Sequence, residues 1–263
     1  MRTTAIMNMK GGTAKTVTAI NLAAILAHDY ALRVLLVDAD SQANLTEFVM
    51  EGAAAECIPG GLSDLLRGKE GKVLPTKIRN VSIIAGDLDL MDLDVSSAYR
   101  GISHPMALRS FLETVEDRFE WCVIDCPPAF SAAASAALIA ADEVVIPMKV
   151  DAFGIQGMSR LMRQIQNMRR TNPDLEVAGV LPTMTEWNPA LVEQEAALRG
   201  RLAGYQLRMF NNIRRSKLVN ESTFSQEPLI TSNPRSKTLR DYRIFVKRLI
   251  GNYQDDVAEG GEL

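Results

Sequence analysis

A glycine-rich loop near the start of the sequence limits the possible folds more than any other feature. The loop spans residues 8–16 (NMKGGTAKT), with an apolar run at residues 3–7 before it and an apolar-periodic segment at residues 17–27 after it. A strand, a glycine loop that ends in Lys-Thr, and a helix form the layout of a phosphate-binding loop. Glycines let backbone N–H groups approach an anion, and the helix directs its positive end to the same place. The sequence therefore predicts a nucleotide site, although an ordinary glycine turn before a helix has the same pattern.

The last two residues of the loop predict how phosphate and metal are held. Lys15 supplies a point charge for the β- and γ-phosphates of a nucleoside triphosphate. The Thr16 hydroxyl is placed to bind Mg²⁺, an ion that keeps most of its waters and takes few protein ligands. ATP and Mg²⁺ are therefore the expected cofactors.

The loop differs at two positions from the common pattern G-x-x-x-x-G-K-[ST]. Met9 stands at the first glycine position and Ala14 at the second. A methyl group at residue 14 is tolerated if φ is negative there and costly if φ is positive. We expect Ala14 to affect nucleotide affinity or hydrolysis rate more than the fold.

A pair of aspartates follows the second apolar run. Residues 34–37 (VLLV) lack alternation, which is typical of a parallel strand buried on both faces, and Asp38 and Asp40 come directly after them. Carboxylates at the carboxyl end of such a strand lie where α/β sheets bind ligands. The pair therefore predicts a second part of the site, although a capped strand-to-helix turn is an alternative interpretation.

A third signal is an apolar strand that ends in a single acid. Residues 121–125 (WCVID) are followed by Cys126 and two prolines, which stop a strand. This is a Walker B layout, in which Asp125 holds Mg²⁺ through water. The cysteines beside Asp125 invite a metal-cluster interpretation, which we reject because such a cluster needs four thiolates. Cys122 is expected to be a small core residue.

Together, these motifs resemble those of the ParA/Soj partition ATPases, in the ParA/MinD class, and the resemblance covers essentially the whole chain. That family usually reads K-G-G-x-G-K-T, D-x-D-P-Q-x-N and D-x-P-P; here Ala14 replaces a glycine and Ser41 a proline. The resemblance implies that Lys10 reaches the nucleotide of a second subunit and that Asp40 positions the attacking water. The expected catalytic residues are Lys10, Lys15 and Asp40, and those of the metal site are Thr16, Asp38 and Asp125.

The resemblance also implies a set of nucleotide contacts. Thr183 lies where the family receives the adenine base, and Arg214 stands at the proline of the family's I-P-R motif. The expected nucleotide-binding residues are Lys10, Gly11, Gly12, Thr13, Ala14, Lys15, Thr16, Val17, Thr183 and Arg214.

The alternation of buried strands with helical segments predicts an α/β fold. We expect a doubly wound, mostly parallel sheet of about seven strands flanked by helices, as in P-loop NTPases of the ParA/MinD type. The ordinary globular composition, 47% hydrophobic and 23% charged, suits one large domain over residues 1–263. Residues 252–263 are expected to form a flexible acidic tail.

Positive charge is concentrated in one part of this sequence. The net charge is −3, yet residues 214–248 hold nine Lys or Arg against three acids. A charge run often marks only a solvated helix face. The resemblance implies an ATP-bound homodimer that binds DNA without sequence preference and a ParB-like partner that stimulates hydrolysis. The expected DNA contacts are Arg214, Arg215 and Lys217.

The leading hypothesis is therefore an Mg²⁺-dependent ATPase of DNA partition. The sequence contains no apolar run of about 18 residues, so we expect no membrane span and no membrane partner. The resemblance implies a cytoplasmic, nucleoid-associated protein. Alternatives are a nucleotide-binding switch with little hydrolysis, a MinD-like regulatory ATPase, and a metabolic ligase or synthetase on the same fold. The acidic end of the chain disfavours MinD-like membrane binding, and Lys10 with the D-x-D-x-Q-x-N pattern disfavours the ligase.

Overall fold

Seven strands form one sheet in the part of the chain that the structure describes. The computed structural model describes residues 1–50, 58–93, 104–187 and 189–259, without the side chains of residues 152–156 and 252–259. The strand order is β3-β4-β2-β5-β1-β6-β7, and only the pairing of β3 with β4 is antiparallel. The strands are β1 (Arg2–Ile6), β2 (Val34–Asp38), β3 (Leu74–Pro75), β4 (Val81–Ile84), β5 (Trp121–Asp125), β6 (Glu143–Lys149) and β7 (Glu176–Thr183).

Helices cover both faces of this sheet. The described α-helices are α1 (Lys15–Asp29), α2 (Asn44–Val49), α3 (Leu62–Leu66), α4 (Ala107–Val115), α5 (Ala132–Ala140), α6 (Ala152–Met168), α7 (Pro189–Gly204), α8 (Lys217–Phe224), α9 (Leu229–Ser232) and α10 (Lys237–Glu259). A 3₁₀ turn, Glu116–Arg118, follows α4.

Two apolar cores lie on opposite sides of the sheet. In one, Leu22 of α1 and Phe245 of α10 pack in the same cluster as Leu36 of β2. In the other, Leu138 of α5 and Leu161 of α6 share a cluster with residues of the same central strands. Every residue of β2 and β5 is buried, as expected for parallel strands with both faces covered.

The predicted fold class is confirmed, and the differences are local. The charged residues in the segment 69–77 are typical of a surface connection, but Leu74–Pro75 adds a short edge strand there. The last helix, α10, extends to Glu259 and so includes residues 252–259 of the expected tail. The sequence of residues 87–99 predicts a helix; residues 90–93 are helical, residues 87–89 are not, and residues 94–99 lie outside the described part. The single-domain organisation and the flexibility of residues 252–263 stay predictions.

The register of the central strands places two acids side by side. Asp38, the last residue of β2, pairs in register with Asp125, the last residue of β5, and Ile6 of β1 pairs with Asp125 on the other side. Because these strands are parallel, their carboxyl ends meet at one edge, directly below the loop that leaves β1. Among the described helices, none has an apolar stretch of the length that a membrane span requires.

Candidate functional site

The glycine loop forms an open cradle at the start of α1. Gly12 has φ of 68°, a conformation that favours glycine, and a Cβ added at Gly11 or Gly12 would meet no atom within 4 Å. No side chain caps the first turn of α1. The N–H groups of that turn are therefore open to an anion.

Two buried side chains fix the loop. Asn8 donates from Nδ2 to the Pro147 carbonyl over 2.7 Å, and its Oδ1 accepts the Lys10 N–H over 3.0 Å. On the other side, the Thr183 hydroxyl donates to the Thr13 carbonyl over 3.1 Å. Thr183 is fully buried, so its side chain holds the loop in place.

Ala14 adopts a left-handed backbone conformation, with φ of 62° and ψ of 34°. An L-residue with a Cβ pays roughly 1–2 kcal/mol for this conformation. The sequence left the sign of φ at this position open, and the structure shows the costly case. The loop therefore keeps the shape that a glycine would adopt, at the cost of local strain.

The two lysines of the loop have different surroundings. Lys15 is buried, and its Nζ donates to the Lys10 carbonyl over 3.4 Å. Burial lowers the pKa of Lys15, while the charges of Asp125, Cys126 and Asp40 raise it. Lys10 is half-exposed, and its Nζ lies 3.0 and 2.8 Å from the two carboxylate oxygens of Asp151, beyond the end of β6.

Asp38 is fully buried but well supplied with hydrogen bonds. Its Oδ2 accepts from the N–H and the hydroxyl of Thr46, both over 2.8 Å, and its Oδ1 accepts the Asp40 N–H over 3.2 Å. Burial raises the pKa of Asp38 to about 6, and the Asp40 charge adds to this, against the lowering effect of those hydrogen bonds. Gly86 packs against this acid, since a Cβ there would lie 2.7 Å from the Asp38 carbonyl oxygen.

Asp125 is buried with one oxygen unsatisfied. Its Oδ1 has no hydrogen-bond partner among the described residues. Burial and the Asp38 charge raise the pKa of Asp125 well above its usual range, while the Thr16 hydroxyl and the Lys15 charge lower it. A cation between Thr16 and these acids would relieve the repulsion and satisfy the free oxygen, so the residues present fit a hydrated divalent ion.

The donor set suits magnesium more than a metal held by protein alone. Within the described ranges, no group of three or more His, Cys, Asp or Glu is placed to hold a metal. An ion here would depend on the Thr16 hydroxyl, water and phosphate oxygens, which is how Mg²⁺ binds in such sites. Cys122 and Cys126 are buried thiols, and burial raises the pKa of each.

Asp40 lies at the rim of this acidic group. It is half-buried, and its Oδ1 accepts the Gln42 N–H over 3.0 Å. Its negative charge raises the pKa values of Lys15, Asp38 and Asp125. The predicted catalytic and metal residues therefore lie together at one edge of the sheet.

A cavity of about 710 Å³ opens beside the loop. Among the predicted nucleotide contacts, Gly12, Ala14, Val17, Thr183 and Arg214 line it. Its size suits the base and ribose of a nucleotide whose phosphates lie in the cradle. A second cavity, of about 640 Å³, lies at the far end of α1 against residues 77–80 and contains none of the predicted site residues.

The predicted DNA contacts lie on the outer wall of the first cavity, and two of them are already paired. Arg214 binds the Asp241 carboxylate over 2.6 Å, and Arg215 binds Glu186 over 2.8 Å, whereas Lys217 is exposed at the start of α8. A different exposed basic group lies on and just before α10. Its members have no carboxylate partner among the described side chains; they are Arg235, Lys237, Arg240, Lys247 and Arg248, here called the α10 basic surface.

Sequence reasoning missed several supporting residues. Asp151 follows a predicted strand, so the strand-end signal that identified Asp38 and Asp125 could have identified it. Thr46, Gly86 and Asp241 carry no comparable signal, because their roles depend on contacts between distant segments.

A glycine cradle between strand and helix, with acids at the ends of two neighbouring strands, defines a P-loop nucleoside triphosphatase. A protein-family profile described as "AAA domain" matches residues 1–177. The sporulation initiation inhibitor protein Soj of Bacillus subtilis is 32% identical over 258 residues, which covers 94% of this chain and 98% of Soj. The chromosome partitioning protein ParA of Caulobacter vibrioides is 35% identical over 202 residues, 74% of each chain. The chain belongs to the ParA/Soj family of partition ATPases.

Solved structures show the same fold. An ATP complex of an McdA variant from Cyanothece superposes with a TM-score of 0.81 at 25% identity, covering 95% of this chain and 96% of that one. Cobyrinic acid a,c-diamide synthase from Mycobacterium smegmatis, with an ATP analogue and magnesium bound, gives a TM-score of 0.79 at 26% identity, covering 97% and 96%.

We predict that Ala14→Gly stabilises the protein by about 1 kcal/mol, because glycine adopts the left-handed conformation without the Cβ penalty. The same change should tighten nucleotide binding by relaxing the cradle. Urea unfolding measures the first effect and calorimetric titration of ATP the second.

Ala31 is the matched control, since it is also left-handed, with φ of 55°, and lies beyond the far end of α1. Ala31→Gly should stabilise the protein to a similar extent and leave nucleotide affinity unchanged. A loss of stability in Ala14→Gly would contradict the strain assigned to this loop.

Proposed function

We propose that this protein is an Mg²⁺-dependent ATPase that dimerises on ATP binding, then binds DNA without sequence preference and acts in partition of a chromosome, plasmid or mobile element. The observation that carries this proposal is the cradle itself, with Lys15 and Thr16 at its end and the unsatisfied oxygen of Asp125 beneath it. The names of its relatives, a Soj and a chromosome partitioning ParA, support the biological role.

In this proposal each loop residue has a defined task. Backbone N–H groups of residues 11–16 bind the β- and γ-phosphates, and Lys15 neutralises the charge that develops as the terminal phosphoryl group leaves. The Thr16 hydroxyl, Asp38 and Asp125 would hold Mg²⁺. A bound Mg²⁺ would offset the negative charge of the phosphates.

Asp40 is assigned to the water that attacks the γ-phosphate. Its half-buried carboxylate lies beside the acidic group, close enough for its charge to affect both Asp38 and Asp125. A carboxylate in this place orients water by accepting its hydrogens, which lowers the entropic cost of in-line attack.

Lys10 is assigned to the nucleotide of the second subunit. In the single chain Lys10 forms an ion pair with Asp151, but the Lys10 side chain is 37% exposed and the Asp151 side chain 27% exposed. An ion pair as accessible as this contributes only about 0–1 kcal/mol. Lys10 can therefore exchange the Asp151 carboxylate for a more highly charged phosphate at a favourable free energy. This exchange would order the Lys10 side chain at the dimer interface.

The α10 basic surface is the proposed DNA contact, with Lys217 as an addition. Arg214 and Arg215, which the sequence favoured, each have a carboxylate partner and contribute less net positive charge. Non-specific DNA binding depends on several phosphate contacts made by free cations. A ParB-like partner that stimulates hydrolysis, and a cytoplasmic location at the nucleoid, complete the proposal.

A second candidate is a nucleotide-binding switch that hydrolyses little ATP. The left-handed Ala14 favours it, because its methyl group constrains the loop that must close on the transferred phosphate. Both candidates bind ATP; a hydrolysis assay with and without DNA separates them.

We predict that Lys10→Ala and Asp40→Ala each lower ATP hydrolysis by about 100-fold, the usual effect of removing one preorganised transition-state contact. ATP binding by each variant should change little, because the cis phosphate contacts remain. Radiometric hydrolysis at saturating ATP, with and without DNA, gives the rates.

Lys69→Ala is the control, because Lys69 also pairs with a carboxylate, Asp64 at 2.8 Å, away from the cradle. Its rate should equal that of the wild type. Wild-type rates in both Lys10→Ala and Asp40→Ala would refute the assigned roles.

We predict that the double variant Arg240→Glu/Lys247→Glu loses at least tenfold in ATP-dependent DNA affinity, because two phosphate contacts become repulsive. The slope of log affinity against log salt should fall by roughly 1.8, at about 0.9 per contact. A filter-retention titration across a salt series measures both quantities.

Arg118→Glu, on the 3₁₀ turn after α4, reverses one positive charge elsewhere on the surface. It should leave the slope as in the wild type. Equal DNA affinity of the α10 variant and the wild type would place the interface elsewhere.

A further inference from the structure

The outer wall of the nucleotide cavity is a segment without regular secondary structure, residues 211–216, here called the wall segment. It runs beside the end of β7 and is tied to it by backbone hydrogen bonds. Ile213 N–H donates to the Pro182 carbonyl over 2.8 Å, and Arg215 N–H donates to the Thr185 carbonyl over 2.9 Å. Ile213 and Arg214 line the cavity. The position of this segment therefore sets the width of the cavity.

One carboxylate on α10 binds the middle of the wall segment. Arg214 donates to Asp241 three times, from its backbone N–H over 3.2 Å, from Nε over 2.6 Å and from Nη2 over 2.7 Å. The Asp241 carbonyl also accepts from Asn211 Nδ2 over 2.9 Å. The Asp241 side chain is only 9% exposed, so this two-pronged ion pair is shielded from water on the acid side.

The next residue on α10 reaches the opposite wall of the cavity. Tyr242 is buried, lines the cavity, and places its hydroxyl 3.4 Å from the Thr18 hydroxyl on α1. Adjacent residues of one helix thus touch the wall segment and the helix that begins at the cradle. This connects the position of the wall segment to the helix that presents the phosphate site.

Arg214 cannot fix the wall segment without help. Unlike a proline, it does not restrict its own φ, and its N–H needs a partner. Asp241 supplies that partner and also binds the guanidinium in a fixed orientation. Without Asp241, the segment would keep its bonds to β7 on either side but lose the restraint at its centre.

We propose that Asp241 is a positioning residue which, through Arg214, holds the wall segment in the conformation that receives the base and ribose of the nucleotide. This inference rests on the proposed nucleotide function of the cavity. Since the wall segment lies on the base side and the cradle holds the phosphates, Asp241 acts equally on ATP and ADP.

The test compares Asp241→Asn with the wild type in calorimetric titrations of ATP and ADP in the presence of Mg²⁺. Asp241→Asn should weaken both nucleotides by about tenfold, the equivalent of one charge-assisted hydrogen bond. Hydrogen exchange of the nucleotide-free protein should show faster exchange at residues 213–215. Arg214→Lys, which keeps the charge but loses the two-pronged geometry, should give an intermediate loss.

Asp29→Asn is the matched control, because Asp29 of α1 forms a similar ion pair with Arg243, which lies on α10 as Asp241 does. Arg243 donates to Asp29 from Nε over 2.7 Å and from Nη2 over 3.1 Å, away from the cavity. Its nucleotide affinities should equal those of the wild type. The single variants Arg214→Ala and Asp241→Asn should each weaken nucleotide binding. Their double variant should bind nucleotide no more weakly than whichever single variant has the lower affinity, because the pair acts as one unit.

Several results would overturn the inference. Unchanged affinities in Asp241→Asn, with or without faster exchange, would give Asp241 a structural role only. Tighter binding would show that Asp241 competes with the nucleotide for Arg214. Absence of nucleotide binding by the wild type would instead refute the proposed function itself, and the inference with it.

Discussion

The site depends on the placement of two buried carboxylates at adjacent strand ends. Asp38 and Asp125 pair in register at the carboxyl edge of the sheet. Burial raises the pKa of both acids, and the Asp38 charge raises the pKa of Asp125 further. Burial of two acids so close together is unfavourable without a compensating cation. Lys15 provides part of that compensation from the loop above them. A divalent ion beside Thr16 would provide the rest, which supports the proposed metal site.

The glycine cradle shows how much sequence change the site tolerates. Ala14 keeps the left-handed conformation that glycine would adopt, because Asn8 and Thr183 hold the loop from both sides. Local strain of this kind persists where the surrounding structure over-determines the backbone. The same logic applies at residue 214, where the Asp241 carboxylate binds both the backbone N–H and the side chain.

The sequence predicted the parts of the fold that depend on local pattern. Unbroken apolar runs identified β2 and β5, and glycine, lysine and aspartate at fixed spacing identified the loop and the strand-end acids. It could not predict β3, since two residues carry no periodicity, or the sign of φ at Ala14, which tertiary contacts decide. It also could not show that Arg214 and Arg215 are neutralised, because Asp241 and Glu186 are distant in sequence.

We propose that a triphosphate and its metal bind together in the cradle. Calorimetric titration of ATP into the wild-type protein, once with Mg²⁺ and once with EDTA, tests it most directly. We predict saturable binding of one ATP per chain with Mg²⁺ and markedly weaker binding in EDTA, because Lys15 alone then offsets the repulsion at Asp125. No binding in either buffer, or equal binding in both, would contradict it.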